Sequence, residues 1–171
     1  MHSVRSVGNF FAENYSYLSN MEFTVKQTIY THLVKLIREK KDELIQAVAS
    51  AKESRDNDSK SSVGDKHETA RALAQIEIDK LEVQLDKTLH QEKELSSIHP
   101  EKPHSQIESG SLVYTNQENY FISIGLGKIE LEIGIFYCIS LVSPVGKLLN
   151  GKKQGDKIHF NGREIEIVKV L

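Results

Sequence analysis

Two acids three residues apart, Asp65 and Glu68, stand in the stretch "SSVGDKHETARA". They follow Gly64 and precede a long run of polar and apolar residues with helical period. Carboxylates at i and i+3 near a helix start lie on one face. There they can share a hard cation such as Mg²⁺, which takes oxygen ligands. Two carboxylates are too few for a tight site built by this chain alone, because Mg²⁺ keeps several waters and wants further ligands. A metal role therefore requires ligands from a partner. The same spacing also makes a capping box, with Asp65 as the cap and Glu68 three residues later. Both charges then complement the positive end of the helix dipole. The two readings use one geometry, and spacing does not separate them. His67 beside the acids reads as a solvated surface histidine.

Other chemistries find no support. The seven histidines are scattered, and no Cys/His cluster has zinc spacing. There is no glycine-rich phosphate loop and no nucleophile elbow. Tryptophan is absent, and the aromatics do not interleave with basic residues as on a base-stacking surface. With 22 basic against 24 acidic residues, the net charge of -2 argues against general attraction to DNA or RNA. The single cysteine, Cys138, lies in the apolar run "IGIFYCISLV" and reads as a core residue. One thiol makes no disulfide framework, which points to a reducing, cytoplasmic setting. No stretch of ~20 apolar residues suggests a membrane span.

The elements that would position the acids come from a chain of two characters. At 171 residues it can hold one ordinary domain or two small ones. Residues 1–21 show no clear period. They read as a poorly ordered extension, or as a translation start placed too early with Met21 as the alternative. From about Val25 to Ser97 the chain is charged, almost free of glycine and free of proline, the composition of long helices. Leu33, Ile37, Leu44, Ala47 or Val48, and Ala51 form one heptad-like seam. Ala74, Ile78, Leu81, Leu85, Thr88 and Leu95 form another. Joined by the Ser/Asp-rich "KESRDNDSKSSVGD", they predict an antiparallel helical hairpin over residues 22–98, with its tip near 54–68. Arms of about 25 to 30 residues would make a rod on the order of 40 Å long.

Residues 99–106 carry Pro100 and Pro103 and read as a linker. Residues 107–171 read as an α+β domain with a mostly antiparallel sheet. Strands are expected in "SLVYT", "NYFISIG", "KIELEIG" and "FYCISLV". Ser143 as cap and Pro144 at the first position start a short helix, which Gly151 ends. Asn161-Gly162 between "KIHF" and "REIEIVKV" is the strongest hairpin signal. In the last strand Ile165, Ile167, Val168 and Val170 mark the half-buried side.

The stretch "SPVGKLLNGKKQGD…REIEIVKVL" resembles the C-terminal signature of the Gre family of bacterial transcript-cleavage factors. The stretch "GDKHETA" resembles that family's tip motif Gly-Asp-x-x-Glu-Asn-Ala. The resemblance covers about residues 25 to 171. It implies an N-terminal coiled-coil hairpin and an FKBP-like C-terminal domain. It implies a regulator that is not itself an enzyme, a monomer whose hairpin enters the secondary channel of RNA polymerase. Asp65 and Glu68 fall on the tip acids that help to hold a Mg²⁺ shared with the polymerase. RNA and DNA would be met only through the polymerase. Ser143, Pro144 and Gly146 would lie in the turn that touches its rim. Three departures surround the acids: Thr69 replaces Asn, Ala72 replaces an aromatic, and the connection before Gly64 is longer. Some members of the superfamily occupy the channel and inhibit without cleavage, so both outcomes are expected alternatives. A coiled-coil adaptor with another target is a third, and a prolyl isomerase is set aside because the domain offers few aromatics for a pocket.

Overall fold

The computed structural model describes the backbone of residues 4–58 and 65–171, and the side chains of residues 24–56 and 68–171. Helix α1 spans Val4–Asp58 and helix α2 spans Asp65–Ser96. Residues 4–21, expected as a poorly ordered extension, share the helical backbone of α1. Of the expected tip, 54–68, residues 59–64 lie outside the described residues. The chain divides into two compact units, one of Leu33–Leu95 and one that joins residues up to His32 with Ser96–Leu171.

In the first unit α1 and α2 bury the seam that the sequence marks. Leu33, Ile37, Leu44 and Val48 are buried on α1, and Ile78, Thr88 and Leu95 on α2. Isolated charged helices are marginal in water, so such an apolar stripe supplies most of their stability. Each fully buried Leu or Ile contributes about 1.5–3 kcal/mol. Polar pairs fix the antiparallel sense. Lys41 meets Glu92 and Lys52 meets Glu82, each at 2.6 Å. Arg55 Nη1 donates to Gln75 Oε1 at 2.7 Å. As position rises along α1, its partner falls along α2.

The second unit carries a six-stranded sheet. Its strands are β1 (Leu112–Thr115), β2 (Tyr120–Ile122), β3 (Gly127–Leu131), β4 (Gly134–Ile139), β5 (Lys157–Phe160) and β6 (Arg163–Val170), in the order β3-β4-β2-β1-β6-β5. Helix α3 (Pro144–Leu149) connects β4 to β5. Every expected strand is present. The sheet is mixed, because β2 and β4 pair in parallel while the other four pairings are antiparallel. β2 is buried along its whole length, which explains its continuous apolar "YFI". The two-residue turn Asn161-Gly162 has φ of 50° and 75°, the left-handed pair that a type I′ hairpin requires. One core cluster covers the face that carries α3. It includes Val113, Ile122, Val145, Leu149, Ile165 and Ile167.

Val168 departs from expectation. The β1–β6 register shifts between Tyr114 and Thr115, from Lys169 to Ile167, so Val168 is the extra residue of a bulge. It is 50% exposed, and the alternation resumes with Val170 against the core.

The second unit also buries a basic pair. Lys26 of α1 is 3% exposed and donates through Nζ to the Lys102 carbonyl at 2.7 Å. Burial pushes its pKa down to about 8. The side chain of His104 is buried, with Nδ1 2.8 Å from Glu108 Oε1 and Nε2 without a partner. Burial lowers its pKa below the ordinary 6.5, against the pull of Glu108. The unfolded chain then holds a proton that the folded ring resists. Stability from this ring is complete above about pH 6.5 and falls as the pH drops from there through the lower folded value. Denaturant midpoints measured from pH 7.5 down to 5 should decline, and His104→Gln should flatten that decline.

Candidate functional site

The acids sit where two helices of the first unit approach the connection 59–64. Asp65 is the first residue of α2, and Glu68 lies one turn further on, exposed. Both belong to one helical turn, as the i, i+3 spacing requires. The side chain of Asp65 lies outside the described residues, and so does the capping geometry. The nearest described brace is Arg55, which holds Asp56 at 2.8 Å and Gln75 at 2.7 Å. Gln75 in turn donates to Asp79 at 2.8 Å. The last turns of α1 are thereby tied to α2 three turns after Asp65.

Mg²⁺ was expected at these acids only as an ion shared with a partner. Among the described residues no group of three or more His, Cys, Asp or Glu could hold a metal ion. One exposed carboxylate, with a second at the start of the same helix, leaves most of an octahedral shell to other molecules. Oxygen donors are the kind that a hard cation takes.

The three expected contact residues around α3 play different parts. Ser143 caps α3: its Oγ accepts from Gly146 N at 3.1 Å and donates to the Ser140 carbonyl at 2.7 Å. Gly146 is buried, and a Cβ there would lie 2.1 Å from the Ser140 oxygen and 2.8 Å from Ser143 Oγ. Glycine is thus a packing requirement at this position. Pro144 is exposed, and so are Val142 at 77% and Leu148 at 40%. The cap holds this turn in shape, and Pro144 is the member of the three that solvent reaches freely.

Cys138 is buried, and burial pushes its thiol up to about 12. It serves the core and is no nucleophile.

One feature leaves no local mark in the sequence. A cavity of about 400 Å³ opens on the α3 face of the sheet, with Tyr120, Tyr137, Phe160, Ile139 and Ile165 among its lining. Tyr120 and Tyr137 pack with ring centroids 6.1 Å apart and planes tilted by 46°. The Tyr120 hydroxyl donates to Glu118 Oε2 at 2.9 Å. Burial, then that bond to a carboxylate, holds the phenol protonated well above its ordinary pKa. The aromatics are few, but β2, β4 and β5 bring three of them together. Tyr120 and Tyr137 are register partners in the parallel pair β2–β4. Only that non-local pairing makes them neighbours.

No protein-family model matches the chain, and comparison with curated proteins finds no match.

Substitutions at α3 separate packing from contact. Gly146→Ala should destabilise the sheet unit by about 3 kcal/mol through the clash with the Ser140 carbonyl. Ser143→Ala should cost about 1–2 kcal/mol through the lost cap and hydrogen bond. Pro144→Ala at the exposed first position should cost less than about 1 kcal/mol. Thermal or denaturant unfolding of the three variants checks the order.

Proposed function

We propose that this protein is an RNA polymerase-binding regulator of transcript elongation of the Gre kind, whose helical hairpin enters the secondary channel and brings Asp65 and Glu68 to the catalytic centre. The observation that carries the reading is the antiparallel helix pair with Glu68 exposed in the first turn of α2, on the same turn as Asp65. An α+β unit with a capped helix α3 and the closing β5–β6 hairpin follows it, in the order the resemblance implies. The sheet unit is read as FKBP-like and as the part that docks on the polymerase rim, with Pro144 in the contact.

The chain is not an enzyme by itself in this reading. The two carboxylates offer oxygen ligands, and the polymerase supplies the rest. A Mg²⁺ ion held jointly would lower the pKa of a bound water and steady the leaving oxygen of the cleaved RNA. The chain's own contribution is to present negative charge at a fixed place. The braced helix pair gives that place its rigidity, and positioning of this kind accounts for much of catalytic power. A cytoplasmic location follows from the partner. No described helix is long and apolar enough to cross a membrane.

Cleavage of RNA in backtracked elongation complexes tests the reading. The wild-type protein should stimulate cleavage. Asp65→Asn with Glu68→Gln should abolish stimulation and leave both the fold and co-elution with polymerase intact. Inhibition by the wild type would replace the cleavage role with channel occupancy. Failure to co-elute would remove the polymerase reading.

A second reading is favoured by the aromatic floor of the α3-face cavity, which is what a peptidyl-prolyl isomerase would need. A peptidyl-prolyl assay decides it. Turnover lost in Tyr137→Ala would establish it, and absence of turnover would exclude it.

A further inference from the structure

The cavity belongs to the sheet unit, whereas Glu68 belongs to the helix pair, and its chemistry differs from that of a metal site. We propose that it binds a short extended peptide segment, apolar at its centre, with a basic group toward Glu118 and an acidic group toward Arg163. The proposal does not depend on the polymerase reading.

The floor selects the centre of the ligand. Tyr120 and Tyr137 pack against each other with ring centroids 6.1 Å apart, and both line the cavity. With Phe160 they offer apolar area to an aliphatic or aromatic side chain. The cavity volume of about 400 Å³ suits such a group with the backbone on either side of it.

The rim selects the flanks. Glu118 and Arg163 both line the opening, and β2 and β6, on which they border, lie on either side of β1. Some other charges of this unit take partners, such as Lys157 with Glu164 and Lys102 with Glu108, each at 2.7 Å, but the case for Glu118 and Arg163 is their place on the cavity rim. Among the described residues Glu118 and Arg163 make no ion pair. Arg163 is exposed, and Glu118 is held by the Tyr120 hydroxyl at 2.9 Å. A carboxylate and a guanidinium left open around an apolar floor complement a ligand that carries both charges.

Both rims are also preorganised. The Thr115 hydroxyl donates to the Glu118 carbonyl at 2.6 Å and accepts from Gln117 N at 3.1 Å. Tyr137 N donates to the Asn119 carbonyl at 2.8 Å. Asn116 exchanges two bonds with the Glu166 backbone, one through its own N and one through Oδ1. On the other side the type I′ turn fixes Phe160 and Arg163 as register partners. The backbone of the rims then has little left to order on binding, and the cost falls on the peptide and on the Arg163 side chain.

Titration of the full chain, followed by its backbone amide resonances, tests this with three blocked peptides: acetyl-Lys-Leu-Leu-Asp-amide, acetyl-Gln-Leu-Leu-Asn-amide and acetyl-Lys-Gly-Gly-Asp-amide. The first should give saturable shifts at Tyr120, Tyr137 and Phe160. The second should bind about tenfold more weakly, the sum of two modest rim pairs. The glycine peptide should leave those three amides unmoved. Arg163→Ser should weaken the first peptide severalfold and leave the second unchanged. Absence of saturable shifts at those amides would overturn the proposal, as would equal binding of the charged and neutral peptides, or an Arg163→Ser chain that binds the charged peptide as wild type does.

Discussion

The helix pair depends on a narrow apolar seam. Leu33, Ile37, Leu44 and Val48 on one helix and Ile78 and Leu95 on the other remove an apolar stripe from water. Outside that stripe the pair is mostly charged, with Leu73, Ile76 and Val83 of α2 left exposed. Polar residues inside the seam are satisfied locally or left as weak points. The Thr88 hydroxyl donates to the Gln84 carbonyl at 2.9 Å, whereas Gln91 Oε1 is buried without a partner. Such interruptions cost stability but restrict the register that two similar helices can adopt. The cross-helix pairs at Lys41, Lys52 and Arg55 reinforce the same register. Register matters here because it decides which residues of α2 stand beside the end of α1. A slip of one turn would move Glu68 by about 5.4 Å.

The sheet unit obeys a different constraint. Its central strand β2 is buried on both faces, so α3 must lie close to the sheet. Gly146 permits that approach, Ser143 caps the helix that results, and the Ser140 carbonyl receives the cap hydroxyl. The turn that could touch a partner is therefore shaped from within. Exposed Pro144 depends on buried Gly146 two residues later. A change at either of Ser143 or Gly146 would alter a contact surface without either residue forming much of it.

Local chemistry made much of this fold legible. The Asn161-Gly162 turn, the Ser143-Pro144 helix start and the two heptad-like seams each rest on neighbours in the chain. Their physics does not wait for tertiary structure. The parallel pairing of β2 with β4 was not legible, because it joins strands separated by β3. The bulge at Val168 arises from a register shift against β1, which no period in "REIEIVKV" reveals. The cavity escaped for the same reason: Tyr120, Tyr137 and Phe160 become neighbours only through the sheet. The acids Asp65 and Glu68 show the opposite case. Their spacing was plain, and α2 takes Asp65 as its first helical residue, but spacing serves a cap and a shared cation equally well.

What distinguishes the two roles of those acids is the company they keep when the protein acts. A cap serves only its own helix, and a shared cation requires a partner's catalytic centre within bonding distance. Photocrosslinking from a benzoylphenylalanine placed at the exposed position of Ala70, two residues after Glu68, measures that company directly. With RNA polymerase in a backtracked complex, the account predicts a crosslink to the polymerase subunit that carries the catalytic aspartates. Crosslinks confined to another surface of the polymerase, or none in a complex that still co-elutes, would contradict it.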